Sequence, residues 1–258
     1  ILNKQIKKFK FKKKIKIINL KNLKNIKFDN ITINLINVNY NNSSNKQKKE
    51  YIYHSFEIAF NLLKSGFSNK LINGPINKNN FLKKKFLGIT EFISKKFKKK
   101  KIAMLIYNKN LSVCPITTHL PLKLVAKKIS VKLIIEKTKL INEFYIKNLG
   151  YKPKIAITGL NPHCESVLNF NEDKKIISPA VDRLKKLGYN ISGPFPADTI
   201  FLKQNRIHYN VIVGMYHDQV LSPMKTLLEY DAVNITLGLP FLRVSPDHGP
   251  NEKMLGKN

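Results

Sequence analysis

The feature that most constrains this chain is an alternation. Short, wholly apolar runs are each followed by a longer stretch with helical periodicity. The clearest run is Val211-Ile212-Val213, set within residues 209–219, YNVIVGMYHDQ. Three consecutive apolar residues stopped by a glycine suit a strand buried on both faces, the usual state of a strand in a parallel sheet. Comparable strand signals fall at residues 71–76, 102–107, 111–116, 154–159 and 233–237, with a weaker one at 31–38.

Helical periodicity fills the gaps. Across residues 49–66, Ile52, Phe56, Ala59, Phe60 and Leu63 share one face, and Gly66 is a natural stop. Ser130 is placed to cap a long helix carrying Ile134, Ile135, Ile141, Phe144 and Tyr145, closed by Gly150. Residues 173–187 repeat the pattern with Ile176, Ile177, Ala180, Val181 and Leu184, ahead of Gly188. A further helix is expected through 224–228, and Thr90 is expected to cap one that begins within 86–92. Strands alternating with helices predict an α/β fold with a largely parallel sheet.

In such a sheet, ligands bind beyond the carboxyl ends of the strands. Three histidines stand just past predicted strands: His119, His163 and His217. Any one alone is more often a hydrogen-bonded structural residue than a ligand. Three at equivalent ends can converge on one crevice, and three imidazoles are a common way to hold a divalent ion with positions left for substrate. Further on lie Lys225, Asn234 and Arg243, a set that can hold a phosphate or carboxylate through charge-assisted hydrogen bonds.

Arg243 gains weight from composition. The formal net charge is +31, yet of 47 basic residues only Arg183, Arg206 and Arg243 are arginine. Lysine, asparagine and isoleucine are abundant together and share AT-rich codons. Codon bias therefore accounts for the charge without a specific nucleic-acid partner, and net charge is no argument about fold. An arginine kept where lysine is the default suggests a bidentate task. No apolar run reaches membrane-spanning length, and the opening ILNKQIKKFK has no apolar core of the signal-peptide kind. The two cysteines, Cys114 and Cys164, do not make a disulfide scaffold, so a reducing cytoplasm is expected.

The motifs TTHLPLK (117–123), GLNPH (159–163), GPFPADTIF (193–201), MYHDQ (215–219), VNITLGLPFLR (233–243) and SPDHG (245–249) together resemble the 4-hydroxythreonine-4-phosphate dehydrogenase family of vitamin B6 (pyridoxine) biosynthesis, in the family's order. The resemblance runs from about residue 49 to 249. It implies a two-lobed α/β fold like that of isocitrate and isopropylmalate dehydrogenases, with the active site in a cleft at a homodimer interface. The chain is then expected to divide at 1–85, an incomplete first lobe, and 86–258, the lobe carrying most of the site.

It also implies that His119, His163 and His217 are metal ligands shared between two subunits. Thr90, Lys225, Asn234 and Arg243 match substrate-binding positions, and Lys225, Asp198 and Asp218 are candidates for the proton chemistry. The implied reaction oxidises a substrate hydroxyl, with hydride passing to NAD or NADP, and the resulting 3-oxo acid loses carbon dioxide. A divalent metal (Zn, Mg or Co) would serve as Lewis acid. No residue is assigned to the dinucleotide.

Several positions depart from the family pattern. Its Gly-His-Thr-Glu motif reads Gly88-Ile89-Thr90-Glu91, so an imidazole has become an alkyl group. The segment after His163 reads Cys164-Glu165-Ser166-Val167, and Val220 replaces a glycine. Both family termini are expected to be missing. A dehydrogenase of another phosphorylated hydroxy acid, such as a sugar-acid phosphate, and a decayed noncatalytic paralogue remain as alternatives.

Overall fold

The computed structural model describes residues 2–29, 31–40, 44–76, 86, 88–166 and 170–249. Contacts divide the chain into two compact units, one ending at Ser65 and the other running from Gly66 to Pro250.

In the first unit, α1 (Leu2–Lys8) leads to β1 (Ile15–Ile17), which pairs in parallel with β2 (Ile33–Leu35). A long helix, α2 (Asn45–Lys64), follows. The helix starts a few residues before the expected 49, because Ser44 caps it by accepting a hydrogen bond from the Gln47 amide (3.2 Å). Phe56 and Phe60, one turn apart, are buried with ring centroids 5.4 Å apart.

The second unit begins with β3 (Lys70–Ile72) and α3 (Ile89–Lys96), followed by β4 (Ala103–Tyr107), β5 (Ser112–Pro115), α4 (Val125–Lys128) and α5 (Val131–Leu149). Next come β6 (Ile155–Thr158), a π-helical turn Asp173–Ile177 that runs into α6 (Ser178–Lys186), β7 (Ile191–Phe195), α7 (Ala197–Ile200) and α8 (Lys203–Arg206). The last elements are β8 (Val211–Gly214), α9 (His217–Leu228), β9 (Val233–Leu237) and β10 (Leu242–Pro246).

Eight strands make one sheet in the order β3-β10-β9-β4-β5-β8-β6-β7. The run β5-β8-β6-β7 is parallel, as is β3 with β10, while β10-β9, β9-β4 and β4-β5 are antiparallel. The α/β class and the mostly parallel sheet thus match the sequence expectation. The antiparallel middle does not follow from it: β10 had no strand signal of its own beyond an arginine between apolar residues. The contact units divide between Ser65 and Gly66. The reason is β3, which pairs with β10 and so draws its segment into the second unit.

The sheet is covered on both faces. Ile134, Ile141 and Tyr145 of α5 and Ala180, Val181 and Leu184 of α6 pack with Val211 and Val213 on one side. Val220 and Met224 of α9 pack with Ile212, Met104 and Ile106 on the other. This is why 211–213 reads as an unbroken apolar run: alternate side chains enter opposite cores. Ser130 caps α5 by accepting from the Leu133 amide (3.2 Å), and Gly150 ends that helix in the left-handed conformation at φ 82°. Thr90 does not cap α3. Gly88 holds the cap position with no side-chain bond, and Thr90 lies within the first turn.

Candidate active site

The parallel pair β5 and β8 brings two histidines together. Their register sets Pro115 opposite Gly214. Beyond the strands, Thr117 donates twice to the Met215 carbonyl, from its amide (3.1 Å) and its hydroxyl (2.7 Å), so the two departing loops stay side by side. Two residues on from each member of that pair are His119 and His217. Their ring centroids are 6.0 Å apart and their planes differ by 37°. His217 Nδ1 lies 2.6 Å from Asp218 Oδ1, and His119 Nδ1 lies 3.7 Å from Glu91 Oε1. The Asp218 carboxylate at Nδ1 orients the His217 imidazole and leaves Nε2 as its ligating atom, an arrangement seen behind metal-bound histidines, whereas Glu91 is within ion-pair range of His119 but beyond hydrogen-bond range.

Both rings line a cleft whose floor is the antiparallel part of the sheet. Strand period two puts Arg243 and Ser245 of β10 on the same face as their partners Thr236 and Asn234 of β9. Arg243 is 3% exposed. Its Nε donates to Asn73 Oδ1 (2.9 Å), and one terminal nitrogen donates to the hydroxyls of Thr236 (3.0 Å) and Thr90 (3.4 Å). Burial pushes the guanidinium down to about 10, opposed by the nearby charge of Glu91. It therefore stays charged at neutral pH and can receive an anionic group. Asn234 and Ile89 line the same cleft, Ile89 only 7% exposed.

Lys225, two turns along α9 from His217, pairs with Asp247 and donates to the Glu229 carbonyl (3.2 Å). Asp247 lines the cleft, and Lys225 is joined to it through this pair. Asp218 is 80% exposed apart from its bond to His217.

His163 and Asp198 belong elsewhere. The chain leaving β6 is pinned by the buried carboxylate of Asp173, which accepts from the Leu160 amide (2.7 Å), the Asn161 amide (3.2 Å) and the Asn161 side chain (2.8 Å). Asp173 opens the helical segment on the opposite face of the sheet from the cleft, while Gly159, at the start of the loop, accepts from Gln219 Nε2 (2.7 Å). His163 is exposed, with φ 56° in a turn of Pro162–Cys164. Asp198 is exposed on α7, and its charge is felt at the Cys164 thiol. That thiol is pushed up from its ordinary value by burial first and by Asp173 next. His119 and His217 thus share the cleft, and His163 is not among the residues that line it. Among the described residues, no group of three or more His, Cys, Asp or Glu side chains is arranged to hold a metal ion.

Sequence reasoning missed Asn73, Thr236, Asp173 and Asp247 as site residues. Asp247 carried a signal, standing in the SPDHG motif two positions after Ser245. Asn73 and Asp173 carried none, because their roles depend on strands and loops distant in sequence.

A buried arginine and two imidazoles share one cleft of an α/β sheet, a set of groups whose chemistry suits an anionic ligand. The chain belongs to the family of pyridoxal phosphate biosynthetic protein PdxA, whose model matches residues 1–258. It is 40% identical over 205 residues to a 4-hydroxythreonine-4-phosphate dehydrogenase of Xanthobacter autotrophicus, covering 76% of this chain and 58% of that protein. It is 35% identical over 210 residues to a D-threonate 4-phosphate dehydrogenase of Pectobacterium atrosepticum, covering 79% and 63%. The match therefore spans about three-fifths of the length of these relatives. The crystal structure of 4-hydroxythreonine-4-phosphate dehydrogenase from Klebsiella pneumoniae superposes with a TM-score of 0.80 at 28% identity, over 100% of this chain and 82% of that one. The two-lobed dehydrogenase type of fold implied by the motifs is thus the fold of the family.

Proposed function

We propose that this chain carries out the metal-dependent, NAD(P)-linked oxidation and decarboxylation of 4-phosphohydroxy-L-threonine in vitamin B6 biosynthesis. The observation that carries the reading is the shared cleft: His119 and His217 lie 6.0 Å apart by ring centroid, and Arg243 is buried in the same wall. Two imidazoles, one with a carboxylate at Nδ1, fit a divalent ion in their donor chemistry. His163 of a second copy would complete the set, which accounts for its distance from the pair in its own chain and calls for a homodimer. A bound divalent ion would supply Lewis-acid polarisation of the substrate hydroxyl, and the nicotinamide would accept the hydride.

The chain's own residues do the rest. Arg243, fixed by Asn73, Thr236 and Thr90, holds the phosphate or carboxylate, and Asn234 and Lys225 complete the substrate contacts. Lys225, Asp218 and, from the second copy, Asp198 are the groups available to take the hydroxyl proton. A division into a first lobe over 1–85 and a site-bearing second lobe over 86–258, and a cytoplasmic location, belong to the same reading. Among the described residues no helix is long and apolar enough to cross a membrane.

A second reading is favoured by Ile89, an alkyl group in the substrate cleft. It is a dehydrogenase of a related phosphorylated hydroxy acid, and a relative named for D-threonate 4-phosphate is at hand. Incubating the purified chain with NAD or NADP, a divalent metal and each phosphate ester separates the two. NAD(P)H formed only from 4-phosphohydroxy-L-threonine supports the first reading, and NAD(P)H formed only from D-threonate 4-phosphate supports the second. Metal binding without turnover of either would mark a noncatalytic paralogue.

A further inference from the structure

The ladder between β6 and β8 ends at Ile157 and Val213. Beyond it the two chains continue as the loops to His163 and His217, and the side chain of Gln219 bridges them. Its Oε1 accepts from the Met215 amide (2.7 Å) and from the Thr158 hydroxyl (3.0 Å), and its Nε2 donates to the Gly159 carbonyl (2.7 Å). A glutamine at the third position of a helix commonly turns back to the capping amide of that helix. Here it reaches Met215, one residue before the cap position Tyr216, and directs its other end to the chain leaving β6. Gly214 leaves the room for this, since an added Cβ there would stand 3.0 Å from Gln219 Oε1.

Met215 is therefore held on both sides. Its carbonyl accepts twice from Thr117, two residues before His119. Its amide donates to Gln219, which holds Gly159, four residues before His163. Met215 itself stands two residues before His217. The three histidine-bearing loops thus meet at one backbone residue, and a single side-chain amide makes the junction toward His163.

We infer that Gln219 is a positioning residue for the metal set: its amide fixes the departure of the His163 loop against that of the His217 loop. The inference rests on the proposed function, in which each chain gives His119 and His217 to one site and His163 to the other. One Gln219 then steadies ligands of both sites. An amide suits the task because it carries an acceptor and a donor on one plane. It can span an N–H on one chain and a C=O on the next, as a peptide group does within a ladder.

The test is titration of the full chain with Co(II), read by calorimetry and by the visible spectrum of the bound ion. Inorganic phosphate binding and denaturant unfolding are measured beside it. Gln219→Met keeps the length of the side chain and removes all three bonds. Affinity for the ion should fall about tenfold or more, the scale for groups that orient metal ligands, and the spectrum should change with the coordination geometry. Phosphate, held by Arg243, should bind as before. Thr158→Val removes only the hydroxyl bond and leaves both backbone ties. It should lose stability yet keep the affinity and the spectrum, which separates positioning from a general loss of stability. Gln219→Glu keeps both accepted bonds but sets an oxygen against the Gly159 carbonyl. It should weaken ion binding as the methionine does, and it decides the matter if that variant does not fold. Unchanged affinity and spectrum in a folded Gln219 variant, or an equal loss in Thr158→Val, overturns the inference and leaves the metal site standing. If the unmodified chain binds no divalent ion, the proposed function fails and the inference with it.

Discussion

The loop after β5 and the loop after β6 leave the same block of parallel strands, and each presents a histidine. The first is tied inward. Thr117 locks it to Met215, and His119 faces His217 across 6.0 Å between ring centroids. The second is tied to Asp173 through Leu160 and Asn161, and its His163 is left exposed. Equivalent topological position therefore does not give equivalent contacts. The second loop is held at its start by Gln219 of α9, which donates to the Gly159 carbonyl (2.7 Å), and then by Asp173 at Leu160 and Asn161. One loop builds a cleft within the chain, and the other displays an imidazole at the surface.

The largest expected effect follows from that contrast. His217→Ala should abolish stoichiometric binding of a divalent ion, as should His163→Ala, each with the fold retained by circular dichroism. Mixing and reassociating the two variants should then restore about a quarter of the sites, because a twofold dimer of one variant with the other holds one site free of both changes. No recovery would mean that all three histidines act within one chain, and metal retained in either variant would remove that histidine from the set.

Next in size is Arg243→Lys. Lysine keeps the charge but cannot reach Asn73, Thr236 and Thr90 together with a substrate anion. Binding of inorganic phosphate should fall about tenfold to hundredfold, and stability by about 1–3 kcal/mol from buried partners left unsatisfied. Denaturant unfolding and phosphate titration measure the two. A variant that binds phosphate normally would take the anion site away from Arg243.

Ile89→His should strengthen the cleft alone. One charge-assisted hydrogen bond to substrate is on the order of 1.5–3 kcal/mol, or roughly a tenfold to hundredfold gain in kcat/KM. Activity toward 4-phosphohydroxy-L-threonine that stays flat would point to the second reading of the substrate.

The smallest effect probes the other loop. An added Cβ at Gly159 would stand 2.6 Å from both Asp173 Oδ1 and Cys164 Sγ. Gly159→Ala should shift the His163 loop, weakening metal affinity severalfold and costing about 1–3 kcal/mol of stability. Phosphate binding at Arg243 should not change, and a parallel loss there would show that the two regions are not independent.

Much of this was legible in the residues. The apolar run at 211–213, the Ser130 cap and the Gly150 stop each declared their element, because local sterics and capping bonds act over a few residues. Arg243 stood out because arginine is scarce in this chain. Thr90 was misassigned as a cap, since a hydroxyl at a helix start reads the same whether it bonds its own backbone or a distant guanidinium. Asn73 was invisible for a related reason: its partner lies 170 residues away.

By itself, then, the sequence determined the strands, the helices and the residue types that can carry the chemistry, since those depend on side-chain period and on neighbours along the chain. Only the tertiary structure decided which of those residues meet. The antiparallel insertion of β9 and β10 brought Arg243 and Asn234 into one cleft with His119 and His217, and Asp173 fixed the chain at Leu160 and Asn161 just before His163. Strand order and buried polar contacts join segments far apart in sequence, so no local pattern could specify them.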